Sequence, residues 1–358
     1  MGNLEDLGWD DGWRAAWDGS ADDEATVPAR VVSVHRDRFV VGTAEGERSA
    51  ELSGRLRHRA TEEGERPAVG DWVAVRLPPG DGASIVHGVM PRRTHLARKV
   101  PGALTAVQVV AANVDVVLIV AGLDGDYNPR RLERALVLAW DGGAQPAIVL
   151  NKADLLAPAE VAARVRATED VAPGVSVRAV SAATGEGLDA FARGLAPGRT
   201  AALIGSSGVG KSTLVNRLLG EDRQRTAAVR ASDARGRHTT THRELLRLPG
   251  GALLIDTPGL RELQLWAGPD ALEGTFAEVD RLAASCRFAD CAHDGAPGCA
   301  VITAATEGTL SPARLESYRK LQRELRYLAL RQDERGRAEQ KQRWRAIHKA
   351  ARKHRPRE

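Results

Sequence analysis

Long apolar runs, cysteines, a secretory leader and internal repeats are all scarce or missing in this chain of 358 residues. Nothing approaches the roughly 20 consecutive apolar residues that a membrane-spanning helix needs. The longest apolar run of the first half, Val116 to Gly122, follows an aspartate and reads as a buried strand. Met1 to Ser20 is acidic and carries tryptophans, where a signal peptide has a basic start and an apolar centre. A cytoplasmic protein that does not enter membranes is the expectation. The three cysteines, Cys286, Cys291 and Cys299, fall within fourteen residues. An odd number packed that closely makes a poor disulfide framework and a better metal cluster. The lack of a repeat excludes solenoids and propellers.

What is present is ample for two or three domains, with 43% hydrophobic residues to fill their cores. The net charge of +4 is unevenly spread. Between Lys341 and Glu358 stand eight Lys or Arg against the single acid Glu358, whereas Asp10, Asp11, Asp22, Asp23 and Glu24 crowd the other end. A basic tail of this kind suits a polyanion. Residues 1–26 are expected to be a mobile leader, although Trp9, Trp13 and Trp17 recur at helical spacing and allow a short docked helix. Five short strand patterns follow, Arg30–Val34, Arg38–Val41, Arg48–Leu52, Gly70–Val75 and Ala83–Val89, punctuated by glycine and proline. They predict a small barrel of the oligonucleotide-binding type over residues 27–98. Beyond it, apolar strands alternate with amphipathic helices, which predicts a mostly parallel sheet covered on both faces over 99–265. Residues 266–358 read as a helical segment containing the cysteines and the basic tail.

Gly205-Ser206-Ser207-Gly208-Val209-Gly210-Lys211-Ser212 matches the phosphate-loop pattern, with the apolar strand Ala201–Ile204 before it and a helix from Ser212 after it. Its glycines let backbone N–H groups converge on phosphate oxygens, and the helix N-terminus adds partial positive charge. Lys211 supplies a mobile charge to the β- and γ-phosphates and is a catalytic candidate. Ser212 is a magnesium ligand candidate, and Thr213 joins the nucleotide-binding set. Asp256-Thr257-Pro258-Gly259 ends the second strand of a hairpin, Glu244–Leu248 with Ala252–Ile255. Asp256 is expected to hold magnesium and the Gly259 N–H to sense the γ-phosphate. Between these motifs, Arg235 to Thr241 offers a polar loop of threonines suited to a first switch, with Thr240 the magnesium candidate.

Asn151-Lys152-Ala153-Asp154 follows the strand Pro146–Leu150. Its last carboxylate can accept from guanine N1–H and the 2-amino group, which adenine lacks, so adenine would leave a desolvated carboxylate unpaired. Asn151 would buttress the base edge and Lys152 pack over the ring. Ser181-Ala182, after Val175–Val180, would present a backbone N–H to guanine O6. Each motif sits at the C-terminal end of a strand, which makes chance agreement a poor explanation. Their order is permuted: common GTPases place the phosphate loop first, and here Asn151 and Ser181 precede it. Leu260 stands after Asp-x-x-Gly, where many GTPases carry a water-orienting glutamine. A leucine neither orients nor deprotonates water, so intrinsic hydrolysis should be slow and His238 or a partner must supply the missing group.

Cys286-x4-Cys291-x-His293-x5-Cys299 presents three thiolates and an imidazole, a closed tetrahedral set for one structural zinc. This cluster, the permuted motifs and Gly236-Arg237-His238-Thr239-Thr240 together resemble the ribosome small-subunit-dependent GTPase A family (RsgA, also called YjeQ). The resemblance runs from about Val27 to the C-terminus. It implies an N-terminal oligonucleotide-binding barrel, a permuted GTPase and a zinc domain. It further implies a factor that binds the small ribosomal subunit and its rRNA late in assembly, hydrolyses GTP with magnesium, and leaves, acting as a monomer. Ala296 departs from the acidic residue expected before Pro297-Gly298-Cys299, at a position that is not a ligand. Two rivals remain: an RNA-binding protein with a regulatory nucleotide site, and a GTPase switch acting on another partner.

Overall fold

The computed structural model describes residues 3–18, 26–35, 38–59, 66–80, 82–99, 107–220, 243–256, 272 and 274–327. The chain forms two compact units, one of residues 1–100 and 106–265, the other of residues 101–105 and 266–358.

The first unit opens with a 3₁₀ turn, Leu4–Leu7, and helix α1, Asp11–Asp18. Residues 3–18 of the expected mobile leader are folded, and the helix carrying Trp13 and Trp17 follows the docked alternative that the tryptophan spacing allowed. Trp9 and Trp13 are only 7% and 4% exposed, and their rings lie 4.6 and 6.2 Å from that of Trp72. The acidic residues around them are compensated by distant arginines: Asp10 binds Arg93 at two points, 2.6 and 2.7 Å, and Asp6 binds Arg247 at 2.7 Å. Burying each indole contributes about 1.5–3 kcal/mol, enough to order a short segment.

A barrel follows, built from β1 (Val27–His35), β2 (Arg38–Thr43), β3 (Gly46–Leu52), helix α2 (Gly54–Arg59), β4 (Trp72–Arg76) and β5 (Ser84–Val89). The strand order is β1-β2-β3-β5-β4, and β4 returns to pair with β1, closing the barrel. Only the β3–β5 pair is parallel. Ala29, Val31, Phe39, Val41, Ala50, Val73, Val75 and Val86 fill the interior. The next two strands, β6 (His95–Lys99) and β7 (Val107–Ala112), form a separate antiparallel pair. The domain border expected at residue 98 therefore falls inside β6.

The remaining elements of this unit are β8 (Val116–Gly122), α3 (Pro129–Asp141), β9 (Gln145–Asn151), α4 (Pro158–Val171), β10 (Ser176–Ala179), α5 (Leu188–Arg193), β11 (Thr200–Ile204), α6 (Lys211–Leu219), β12 (Arg243–Arg247) and β13 (Leu253–Asp256). Their order in the sheet is β10-β9-β8-β11-β13-β12, parallel except for β12. β8, and β11 after Thr200, are apolar because helices cover both faces. Leu132, Leu136 and Ile148 pack with one face, and Leu203, Leu214 and Leu254 with the other. Helix α3 begins where the Asn128 side chain accepts from the Arg130 N–H with Pro129 at the first position. Barrel and sheet are not separate bodies. β1 pairs antiparallel with β12, Ser33 opposite Glu244 and Val34 opposite Arg243, giving one eleven-stranded sheet.

In the second unit, α7 (Ala277–Ala283) and α8 (Ala300–Thr306) flank the cysteine segment, and a helical stretch covers 312–327. Phe276, Val279, Val301, Leu315, Tyr318, Leu321 and Leu325 are buried. Arg314 binds Glu278 at 2.7 Å and lies 4.1 Å over the Phe276 ring. Among the described residues, no helix is long and apolar enough to cross a membrane.

Candidate functional site

The loops that follow β9, β10 and β11 leave the sheet at the C-terminal ends of parallel strands, and β13, which ends at Asp256, runs parallel beside β11. This edge, beside the central strand β11, is where open parallel sheets bind ligands. The loop after β11 runs Gly205 to Gly210 into α6. A side chain at Gly205 would strike the Val120 carbonyl oxygen at 2.3 Å, and one at Gly210 (φ +91°) would strike Asn151 Nδ2 at the same distance. Glycine is therefore required at both ends of the loop, the second time by the base-side loop itself. Lys211 lies across the loop, its Nζ donating to the Gly205 and Ser206 carbonyls at 2.7 and 2.6 Å. Ser212 and Thr213 occupy the first turn of α6.

Asn151 is 2% exposed and joins three loops. Its Nδ2 donates to the Val209 carbonyl at 2.8 Å, and its Oδ1 accepts from the Ala182 N–H at 2.9 Å. Of the backbone N–H groups at Ser181-Ala182, one of which was expected to face guanine O6, that of Ala182 is engaged by Asn151 here. Ser181 Oγ donates to Asp154 Oδ1 at 2.5 Å, orienting the carboxylate, and accepts from the Thr184 N–H at 3.1 Å. Lys152 adopts a left-handed backbone (φ +67°) and forms an ion pair with Asp124. Burial raises the Asp124 carboxyl, but the bonds from Lys152 and the Asp126 N–H outweigh it and leave Asp124 below the usual carboxylate range. Asp256 ends β13 beside β11 and is buried. His238, Thr240 and Gly259 lie outside the described residues, as do Leu260 and the basic tail.

Four side chains at this edge escaped the sequence reading. Asp124 holds Lys152 from 28 residues away, and Arg131 of α3 reaches Ser206 Oγ at 2.5 Å while paired with Asp126 at 2.6 Å. Arg217 of α6 donates to the carbonyls of Ala182 and Ala183. Leu155, directly after Asp154, is 57% exposed and offers an apolar wall. Only Leu155 was within reach of sequence reasoning, through its adjacency to the Asn151–Asp154 motif. The other three act across long sequence separations.

In the second unit, the ligand atoms of Cys286, Cys291, His293 and Cys299 all lie within 4.8 Å of one another. Sγ of Cys286 is 3.9 Å from Sγ of Cys299 and 3.7 Å from His293 Nδ1, and Cys299 Sγ is 3.4 Å from that nitrogen. Zinc–sulfur bonds of about 2.3 Å in a tetrahedron put sulfurs about 3.8 Å apart, so the three edges among Cys286, His293 and Cys299 fit the ion. These are free thiols, with no disulfide among them. Burial raises the Cys286 thiol, yet the Val301 and Ala300 N–H groups at the start of α8 leave it below its ordinary value, favouring the thiolate a metal requires. His293 enters from a left-handed backbone (φ +56°), and Arg319 binds its carbonyl. The donor set fits one structural zinc.

A closed five-stranded barrel joined to a permuted P-loop sheet, with base- and phosphate-side loops interlocked through Asn151, defines a circularly permuted GTPase. The RsgA GTPase family model matches residues 89–266. The chain is 51% identical, over 98% of its length and 97% of the relative's, to the small ribosomal subunit biogenesis GTPase RsgA of Opitutus terrae. The crystal structure of YjeQ from Thermotoga maritima superposes with a TM-score of 0.64 at 28% identity, covering 84% of this chain and 98% of that one. YloQ, described as a circularly permuted GTPase, shares the fold with a TM-score of 0.62 at 21% identity, covering 86% and 97%. The chain belongs to the RsgA GTPase family.

Proposed function

We propose that this GTPase acts in the assembly of the small ribosomal subunit, binding its rRNA and leaving after GTP hydrolysis. The observation that carries the reading is the likeness to a small ribosomal subunit biogenesis GTPase along nearly the whole chain, barrel and zinc segment included. In this reading the Gly205–Gly210 loop, with Ser206, Ser207, Gly208 and Val209, cradles the phosphates, and Lys211 neutralises β- and γ-phosphate oxygens. Ser212, Thr240 and Asp256 are the residues that would hold magnesium, which spreads the charge developing on the transferred phosphoryl group. Gly259 reads the γ-phosphate. Asp154 selects guanine, with Lys152 and Leu155 packing on the base. His238 or the ribosome replaces the glutamine that Leu260 displaces. The barrel, the zinc segment and the tail from Lys341 provide RNA contacts, and the protein works as a cytoplasmic monomer.

The test is GTP turnover by the purified protein with and without small ribosomal subunits. Stimulation of at least tenfold is expected. Equal rates with and without subunits would overturn the ribosomal reading and favour a switch acting on another partner.

A further inference from the structure

Helix α6 carries the phosphate loop at one end, and near its other end Arg217 turns toward the guanine side. Its Nε donates to the Ala182 carbonyl at 3.1 Å and its Nη2 to the Ala183 carbonyl at 2.8 Å. A planar guanidinium holds two adjacent carbonyls in one fixed fork, whereas an ammonium on a flexible stem does not set their orientation. The loop it grips has its other polar groups committed. The Ala182 N–H goes to Asn151, the Thr184 N–H goes to Ser181 Oγ, and Ser181 Oγ goes to Asp154. Between these lies Ala183, on the exposed side of the turn. Its N–H shares one peptide unit with the Ala182 carbonyl that Arg217 holds. A cation on that carbonyl polarises the peptide and strengthens the N–H at its other end.

Resting on the reading of Asn151–Asp154 as the guanine site, we infer that Arg217 is a positioning residue for recognition of the 6-oxo group. It fixes the 181–184 loop and sharpens the Ala183 N–H as the donor to guanine O6. The division of labour is then specific. Asp154 reads N1–H and the 2-amino group, and the Arg217-held loop reads the 6-position. Because Arg217 lies on the helix that begins at Lys211, phosphate and base recognition are braced by the same nine-residue element.

Three diphosphates separate these contacts. 6-Thio-GDP differs from GDP only at the 6-position, where sulfur is the weaker acceptor, whereas IDP lacks only the 2-amino group. Affinities for GDP, 6-thio-GDP and IDP, with ADP as the control for base selection, would be measured by calorimetry on full-length wild type, Arg217→Ala and Arg217→Lys, with the melting temperature of each. Wild type should prefer GDP over 6-thio-GDP by about 3- to 10-fold, the worth of one neutral hydrogen bond. Arg217→Ala should lose most of that preference while its GDP-to-IDP ratio stays at the wild-type value, and Arg217→Lys should recover part of it. Equal weakening for all three ligands would make Arg217 a structural brace and overturn the assignment. So would an unchanged GDP-to-6-thio-GDP ratio, or a wild type indifferent to the 6-substitution. A wild type that fails to separate GDP from both IDP and ADP would overturn the guanine reading itself, and this inference with it.

Discussion

Arg30 is a side chain whose loss should cost this fold heavily. It lies in β1, is 2% exposed, and donates to the carbonyls of Gly70 and Asn113 at 3.2 Å each, to Thr200 Oγ1 at 2.8 Å, and to the Leu7 carbonyl. Its guanidinium also sits 5.4 Å from the centre of the Trp72 ring. It thus ties leader, barrel and GTPase sheet through one charge. Burial pulls it down to about 10, with Asp115 and Asp71 opposing the fall. Four bonds to a cation are worth about 1.5–3 kcal/mol each, or about 6–12 together. Removing the cation also relieves the cost of burying it, which offsets part of that loss. A neighbouring cavity of about 300 Å³, lined by Arg30, Asn113 and Thr200, lets water re-pair part of what is exposed. Arg30→Met, which keeps the apolar stem, should therefore destabilise by about 3–5 kcal/mol. At about 2–4 °C per kcal/mol for a unit of this size, that lowers its melting by about 6–20 °C. Scanning calorimetry reads the shift, and the relevant transition is the one GDP raises. Arg30→Lys should fall nearly as far, since one ammonium cannot reach acceptors in three directions. A melting temperature within about 2 °C of wild type for Arg30→Met would show that the seam does not depend on this charge.

Asp154→Asn should exchange guanine for xanthine preference, because the amide reverses the donor pattern facing N1 and C2; competition between GDP and XDP reads it, and retained GDP preference would sink the assignment. Elemental analysis should find about one zinc per chain. Cys291→Ser should lose the metal and loosen the second unit while leaving GDP affinity within about threefold, and a metal-free wild type that stays folded would contradict this. His95 is held below its ordinary value of 6.5, first by burial and then by Arg92. The unfolded chain therefore takes up that proton first, so stability is full above about pH 6.5 and declines as pH falls below it. His95→Gln should flatten the loss between about pH 7 and 5.5, and an unchanged slope would assign it to other groups.

The functional edge was legible because each of its motifs is local: a few residues at the end of an apolar strand, where the strand itself fixes their position. The phosphate loop, Asn151–Asp154, Ser181-Ala182 and Asp256 could be placed without knowing what packs beside them. The zinc ligands were equally plain, since spacing alone brings them together. Long-range compensation was hidden. Asp6 and Asp10 mark residues 3–18 as a solvated leader until Arg247 and Arg93 are known to meet them. Arg30 breaks the apolar pattern of β1 and reads as a surface residue, although the barrel and sheet close over it. The β6–β7 pair lacked an apolar alternation that would separate it from its surroundings. The β1–β12 pairing joins strands more than 200 residues apart through main-chain bonds, which leave no mark on side-chain pattern.

That pairing gives the permutation a physical consequence. In this chain order β12 begins directly after the first-switch motif, and its ladder with β1 sits at that very end, on Arg243 and Glu244. β1 is also the strand that closes the barrel against β4 and carries Arg30. The start of β12 is therefore joined to the barrel by a single antiparallel ladder. Asp256 ends β13, and the longer segment of the second unit begins at residue 266, ten residues further along the chain. In chain order, β12 follows the segment read as the first switch, and residues 266–358 of the second unit follow the segment read as the second. In the common order the second-switch strand leads back into the rest of the sheet. Permutation moves the chain break so that the same strand leads to the zinc-binding unit instead.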